Sequence, residues 1–201
     1  MIAIVDYGAG NVASVHKALA HLGRASVLSA DPAVLRSADL VVFPGQGHFG
    51  QAMARLTSTG LDDVLREVIA SGKPFVGICL GLQLLFDASD EAPGVPGLGV
   101  LRGRCVAFQA PLKVPQIGWN QVQRVRPGSA LDAVPDGQFF YFVHTYHAVA
   151  DDAQDVVATA DYGAPFTAAV QRGNVFAAQF HPEKSGEVGL QLLQAATAAA
   201  C

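Results

Sequence analysis

Residues 74–86 read Pro-Phe-Val-Gly-Ile-Cys-Leu-Gly-Leu-Gln-Leu-Leu-Phe. The apolar run Pro74-Phe75-Val76 leads into Gly77-Ile78-Cys79-Leu80-Gly81, and a second run, Leu82-Gln83-Leu84-Leu85-Phe86, follows. The first predicts a buried strand and the second a helix, with the G-x-Cys-x-G element at the turn between them. That is the setting of a nucleophile elbow, with cysteine in the place of serine. Flanking glycines let the turn close while the nucleophile is held in an unfavourable backbone conformation. At the head of a helix a thiolate gains from free N–H groups and the macrodipole, and a histidine would take its proton. A bare G-x-Cys-x-G fits a core cysteine after a strand equally well, because buried cysteine is common. Cys79 needs partners to be read as a nucleophile.

Working outward, the first half alternates strands with helices. Ile2 to Val5 reads as a buried strand. Val12, Val15, Leu19 and Leu22 then recur at helical spacing, with Gly23 as the residue past the helix end. Leu40 to Phe43 is a second strand, stopped by Pro44-Gly45, and Leu61 to Ala70 carries Leu61, Val64, Leu65 and Val68 on one face. Strands alternating with helices imply right-handed crossovers and a parallel sheet, with chemistry outside the carboxyl ends of the strands. Asp6, Gly45 and Cys79 all fall there. Asp87 to Gly99 is a Pro/Gly/acidic loop. Beyond it the chain leans toward β: Val100–Phe108, Trp119–Val125, Phe139–His144, Val156–Ala160, Phe166–Val170 and Val175–Phe180. Pro127-Gly128, Asp136-Gly137 and Gly173-Asn174 mark turns, the last predicting a tight hairpin. A terminal helix starts at about Gly186, with Val188, Leu192 and Ala195 or Ala196 facing in.

The partners of Cys79 come from far along the chain, at His181-Pro182-Glu183. Proline pushes the preceding residue toward extended geometry, where residues i and i+2 project to one side. Glu183 would then reach the His181 ring, fixing its tautomer and stabilising the imidazolium. Alone the segment is as well explained by a local turn; with the elbow it supplies a thiol, a base and an orienting acid. Acyl transfer also needs oxyanion donors. The N–H of Leu80, after the nucleophile, is one, and the Pro44-Gly45-Gln46-Gly47 loop offers another at Gly45 or Gln46.

Composition agrees with one globular domain over residues 1–201. Hydrophobic residues make up 51% and charged residues 15%, below the usual quarter, which suggests apolar surface covered by a partner. A net charge of -4 with scattered Lys and Arg argues against nucleic-acid binding. No apolar run reaches the roughly 18 residues of a membrane span, and the start shows no basic leader. Three cysteines, Cys79, Cys105 and Cys201, suit a reducing cytoplasm better than a disulfide framework. Nothing calls for a metal or cofactor.

Taken together, Gly-Ile-Cys-Leu-Gly-Leu-Gln, the Pro-Gly-x-Gly loop and His-Pro-Glu-Lys-Ser resemble class I (triad-type) glutamine amidotransferases. Asp6-Tyr7-Gly8-Ala9-Gly10-Asn11, Ile117-Gly118-Trp119-Asn120, Phe142-Val143-His144-Thr145-Tyr146 and Gln179-Phe180-His181 are similar to the branch of glutaminase subunits of imidazole glycerol phosphate synthases. They occur in family order, almost end to end. The resemblance implies a flavodoxin-like open sheet with a parallel core, helices on both faces and added antiparallel strands in the C-terminal half. It also implies hydrolysis of L-glutamine through a thioester on Cys79. The ammonia would pass to a (β/α)₈ cyclase subunit in a heterodimer, which makes imidazole glycerol phosphate and AICAR for L-histidine biosynthesis. Carried over by position, Gln83 and the backbone of Gly47, Thr145 and Tyr146 would hold glutamine, while Trp119, Asn120, Tyr141 and Lys184 would face the cyclase. Thr145 and Tyr146 read equally as sheet structure, and Trp119 as a core tryptophan. Gln116 stands where the family has His, and Gln46 and His48 depart from its loop. Cys105, Cys201, His16 and His21 match no family role. The alternatives are a glutaminase subunit of anthranilate or pyridoxal phosphate synthase, which lack Gly-Trp-Asn, an inactive regulatory relative, and an α/β-hydrolase-type thiol enzyme.

Overall fold

A computed structural model of the chain describes residues 1–8, 11–109 and 111–200, the side chain of Ala200 excepted. Ala9 and Gly10 of the Asp6–Asn11 element, and Cys201, lie outside these residues. The first half runs β1 (Ile2–Val5), α1 (Val12–His21), β2 (Ser26–Ser29), α2 (Pro32–Ser37), β3 (Leu40–Gly45), α3 (Phe49–Thr59), α4 (Leu61–Ala70) and β4 (Phe75–Cys79). A one-turn helix, α5 (Leu80–Gln83), and β5 (Phe86–Ser89) follow. The second half is mostly strand: β6 (Leu101–Ala107), β7 (Gln116–Gln121), β8 (Gln123–Arg124), β9 (Phe139–His144), β10 (Tyr146–Ala150), β11 (Val156–Asp161), β12 (Pro165–Arg172) and β13 (Val175–Ala178). Helix α6 (Gly186–Ala196) follows them.

The main sheet has the order β2-β1-β3-β4-β13-β12-β11-β8. Its first five strands are parallel and the last three run antiparallel. The parallel order is that of a flavodoxin-like sheet. Side chains alternate across each strand. Ala3, Val5, Val41 and Phe43 therefore pack with α2, α3 and α4 on one face. Ile2, Ile4, Leu40 and Val42 pack with α1 and α6 on the other. Helices thus cover both faces. Arg172 pairs with Val175 across the two-residue Gly173-Asn174 turn, as its sequence requires. Outside the main sheet, β10-β6-β5 form a small sheet and β7-β9 an antiparallel ribbon.

One segment corrects the sequence reading. Residues 82–86 were expected to continue the elbow helix, but α5 stops at Gln83 and Phe86 opens β5. Leu82, Leu84, Leu85 and Phe86 are all fully buried, and a run buried all round carries no period that separates helix from strand. The chain returning at 97–101 decides it. Leu98 N–H donates to the Leu84 carbonyl at 2.8 Å, and those of Val100 and Leu101 to the Leu85 carbonyl at 2.9 Å. Carbonyls taken from outside cannot extend a helix.

Candidate active site

Cys79 ends β4 with φ 55° and ψ -109°, the one positive φ at a non-glycine among the described residues. That strain persists because the neighbours over-determine it. A Cβ at Gly81 would lie 1.9 Å from the Phe43 carbonyl oxygen, and one at Gly77 would lie 2.9 Å from Ala177 Cβ. The elbow is therefore pressed between β3 and β13, and only glycine fits on either side of Cys79. With only one turn of helix behind Cys79, a helix dipole contributes little there.

His181 and Glu183 meet as expected, by a different local route. His181 is extended, but Glu183 lies in a 3-10 turn over Pro182–Lys184. His181 Nδ1 is 2.8 Å from Glu183 Oε1, and both side chains are almost completely buried. The carboxylate only accepts, so Nδ1 carries the proton and Nε2 is left to Cys79. Among the described residues Nε2 has no hydrogen-bond partner. Burial opposes the charged ring, yet the neighbouring Cys79, then Glu183 by hydrogen bond and charge, hold His181 up to about 9. The loop is pinned from behind, where Ser185 Oγ donates to the His181 carbonyl at 2.6 Å and accepts from Tyr141 N–H at 3.0 Å.

A cavity of about 420 Å³ opens over Cys79. Gln46, Gly47, Leu80, Gln83, Tyr141, Thr145, Tyr146 and Lys184 line it, so these predicted residues converge. Gly45 sits beside Cys79 in the β3–β4 register. The Leu80 N–H is at the first helical position, where no carbonyl of its own helix can reach it. Gly47 holds φ 102° with open space where a Cβ would stand, so its peptide can turn. Gln83 lines the cavity while its Nε2 donates to the Tyr146 carbonyl at 2.8 Å and to Gln179 Oε1 at 3.0 Å. Trp119 is 56% exposed and not in the core; it packs edge-on against Tyr141 at 6.3 Å on the outer face of the β7–β9 ribbon. Lys184 Nζ lies 6.0 Å over the Tyr141 ring. Asn120 is turned away from that face, its Nδ2 donating to the Asp161 carbonyl at 2.8 Å.

Several site residues were not foreseen. Glu91 lines the cavity, and its Oε2 accepts from Phe49 N–H at 2.7 Å. His144 also lines it; burial pushes its ring down to about 4, leaving it neutral. Tyr7 has a buried hydroxyl with no partner among the described residues, against Gly45; burial, then the charge of Cys79, raise its pKa, so it stays a donor. Gln179 is fully buried, with Nε2 3.7 Å from Cys79 Sγ. A lone amide ending the apolar run Val175–Phe180 was the available signal for Gln179. Glu91, in an acidic loop, gave none. Among the described residues no group of three or more His, Cys, Asp or Glu is placed to hold a metal ion. No helix among them is long and apolar enough to cross a membrane.

Against known proteins, the family described as glutamine amidotransferase class-I matches residues 3–197. "Imidazole glycerol phosphate synthase subunit HisH" of Moorella thermoacetica is 48% identical, covering 96% of this chain and 92% of that protein. Its namesake from Thermococcus kodakarensis is 49% identical, covering 96% and 97%. Among solved structures, a glutamine amidotransferase superposes with TM-score 0.78 at 19% identity, covering 99% and 98% of the two chains. PurLQS from Thermotoga maritima gives 0.76 at 21%, covering 98% and 97%. At such identities these two establish the fold alone.

Proposed function

The chain belongs to the class I glutamine amidotransferases, and from that premise we propose that it is the glutaminase subunit of an imidazole glycerol phosphate synthase. The observation that carries this is near-half identity with such subunits along almost the whole of both chains. Residues 1–201 act as one amidotransferase domain, in the cytoplasm. Glutamine enters the cavity with its side-chain amide over Cys79. Glu91 offers a carboxylate for the α-ammonium group, and the backbone of Gly47, Thr145 and Tyr146 frames the α-carboxylate.

Sγ, its proton already held on His181 Nε2, attacks the amide carbon. The oxyanion is met by the Leu80 N–H and a peptide N–H of the Gly45-Gln46 loop. Protonated His181 delivers its proton to the leaving nitrogen, ammonia departs, and a γ-glutamyl thioester remains on Cys79. His181 then draws a proton from water, which attacks the thioester to release glutamate and restore the thiol. Glu183 holds the ring and offsets its charge throughout.

The ammonia needs a protected exit. Ile117, Trp119, Phe139, Tyr141 and Val143 share the outer face of the β7–β9 ribbon, and Tyr141 and Val143 also line the cavity. An apolar face continuous with the active site fits docking of the (β/α)₈ cyclase, with Trp119 as an anchor and Lys184 at the rim. Turning the Gly45-Gln46-Gly47 peptide exchanges a carbonyl for an N–H at the oxyanion position, and one such donor is worth roughly two to three orders of magnitude in rate. Glutamate release measured with and without the cyclase and its nucleotide ligand tests the proposal, together with co-elution of the two chains. Activation by about 10²–10³ is expected. Full activity in the isolated chain, unchanged by the cyclase, would defeat it.

A further inference from the structure

Behind the nucleophile runs a chain of hydrogen bonds whose polarity is set at its far end by the backbone. The Tyr146 carbonyl oxygen only accepts. It takes Gln83 Nε2 at 2.8 Å and His144 Nδ1 at 2.9 Å. With its amide nitrogen so placed, Gln83 gives its second N–H to Gln179 Oε1 at 3.0 Å. Gln179 is then left with one orientation, Nε2 toward Cys79 Sγ at 3.7 Å. Rotating that amide by half a turn would set two NH₂ groups against each other and an oxygen against the sulfur. Amide orientation follows from the network in such cases, and here the network permits only one.

The placement comes from the sheet. Ala178 pairs with Ile78 across β13 and β4, so Gln179 follows beside Cys79 at the strand ends. Its N–H donates to the Ala168 carbonyl at 2.8 Å, which holds the backbone. Gln179 has no solvent exposure and does not line the cavity. A buried amide is unfavourable unless it is hydrogen-bonded, and any apolar side chain would fill the space more simply. Its one distinguishing act is to present an N–H to the sulfur.

We infer that Gln179 is a positioning residue for the nucleophile: through an N–H donor whose direction is fixed by Gln83 and the Tyr146 carbonyl, it holds Cys79 Sγ in place and favours the charged sulfur over the thiol. The inference rests on Cys79 being the glutaminase nucleophile. It also makes the cavity wall at Tyr146 and the nucleophile parts of one braced unit. Gln179→Met keeps the length and removes the donor. Gln179→Glu keeps the shape and the bond from Gln83, and sets an oxygen against the sulfur.

The test is the rate of Cys79 alkylation by iodoacetamide in the full chain from pH 6 to 10, read by peptide mass spectrometry, beside kcat and KM for glutamine in the complex with the cyclase. At pH 7 the Gln179→Met rate is expected to fall about tenfold and to recover at higher pH, because a hydrogen bond to a charged partner has been lost. Gln179→Glu falls further. In both, kcat drops while KM for glutamine stays within about twofold of wild type, a split that general loosening would not give. In the wild-type chain, the side-chain amide resonances of Gln179 shift when Cys79 is alkylated. A folded variant with the wild-type alkylation profile, or Gln179 resonances indifferent to alkylation, would overturn the inference. Failure of a glutamine-analogue electrophile to label Cys79 in the wild type would instead overturn the glutaminase proposal beneath it.

Discussion

Replacing Glu183 by glutamine separates orienting the base from being the base. In the wild type Glu183 Oε1 accepts from His181 Nδ1 at 2.8 Å in a nearly dry site. Glutamine can still accept through its oxygen, but it no longer offsets the charge of the imidazolium. Hydrogen bonds with a charged partner contribute about 1.5–3 kcal/mol, against about 0.5–1.5 for neutral ones. The difference of roughly 1–1.5 kcal/mol corresponds to about a tenfold loss of turnover. His181→Ala removes the base itself and is expected to lose about 10²–10⁴. Stability should respond with a definite sign. His181 is raised from 6.5 to about 9, burial opposing and Cys79 and Glu183 supporting the charged form. Its contribution is therefore fully present below about pH 6.5 and is lost as pH rises through about 9. Without the Glu183 charge less of this contribution exists to be lost, so urea denaturation should separate the variant from wild type most at pH 6 and progressively less as pH rises through about 9. The assays are glutamate release in the presence of the cyclase and a series of denaturation curves against pH. Equal and complete loss in both variants, or superimposable pH–stability curves for wild type and Glu183→Gln, would refute the orienting role.

Cys79→Ala should abolish glutamine-dependent synthesis by the complex and leave the ammonium-supported reaction intact. A glutamine-analogue electrophile should label Cys79 alone among the buried thiols, because burial, then the charges of Glu91 and Asp90, push the Cys105 thiol up; an adduct on Cys105 would sink the assignment. Gly81→Ala places a Cβ 1.9 Å from the Phe43 carbonyl oxygen, so the elbow must shift. A loss of at least about 3 kcal/mol, or roughly 6–12 °C in Tm, is expected by calorimetry, and a wild-type Tm would contradict the packing of β3 on the elbow. Trp119→Ala, at a residue 56% exposed, should leave Tm within about 2 °C of wild type yet weaken cyclase binding by about 2 kcal/mol in titration calorimetry. Unchanged affinity would remove Trp119 from the docking face.

Much of the parallel half was legible because its signals are local. The runs at 2–5, 40–43 and 75–78 are continuous apolar strands closed by turn residues, and Leu61–Ala70 keeps one apolar face throughout. The reading failed where a segment's partner lies elsewhere. β2 is short, only partly buried and at the sheet edge, so Ser-Val-Leu-Ser carries no strong pattern. Helix α3 begins where His48 Nδ1 accepts from Gly50 N–H and Glu91 from Phe49 N–H, and the second of these contacts spans 42 residues of chain.

The same division runs through the site. Cys79, His181 and Glu183 were nameable from sequence because elbow and turn chemistry demand particular residue types at adjacent positions. That Gln83 braces the Tyr146 carbonyl, that Gln179 faces Cys79 and that Glu91 lines the cavity follow from strand register and from one returning loop. The ribbon face was settled the same way: alternation along β7 sends Trp119 out and Asn120 toward Asp161. Sequence by itself determined which chemical groups the protein owns and the period of each strand and helix, since those depend on neighbours in the chain. Only the tertiary structure decided which buried amide meets which carbonyl, because a hydrogen bond between residues 83 and 179 exists only once the strands between them have chosen their order.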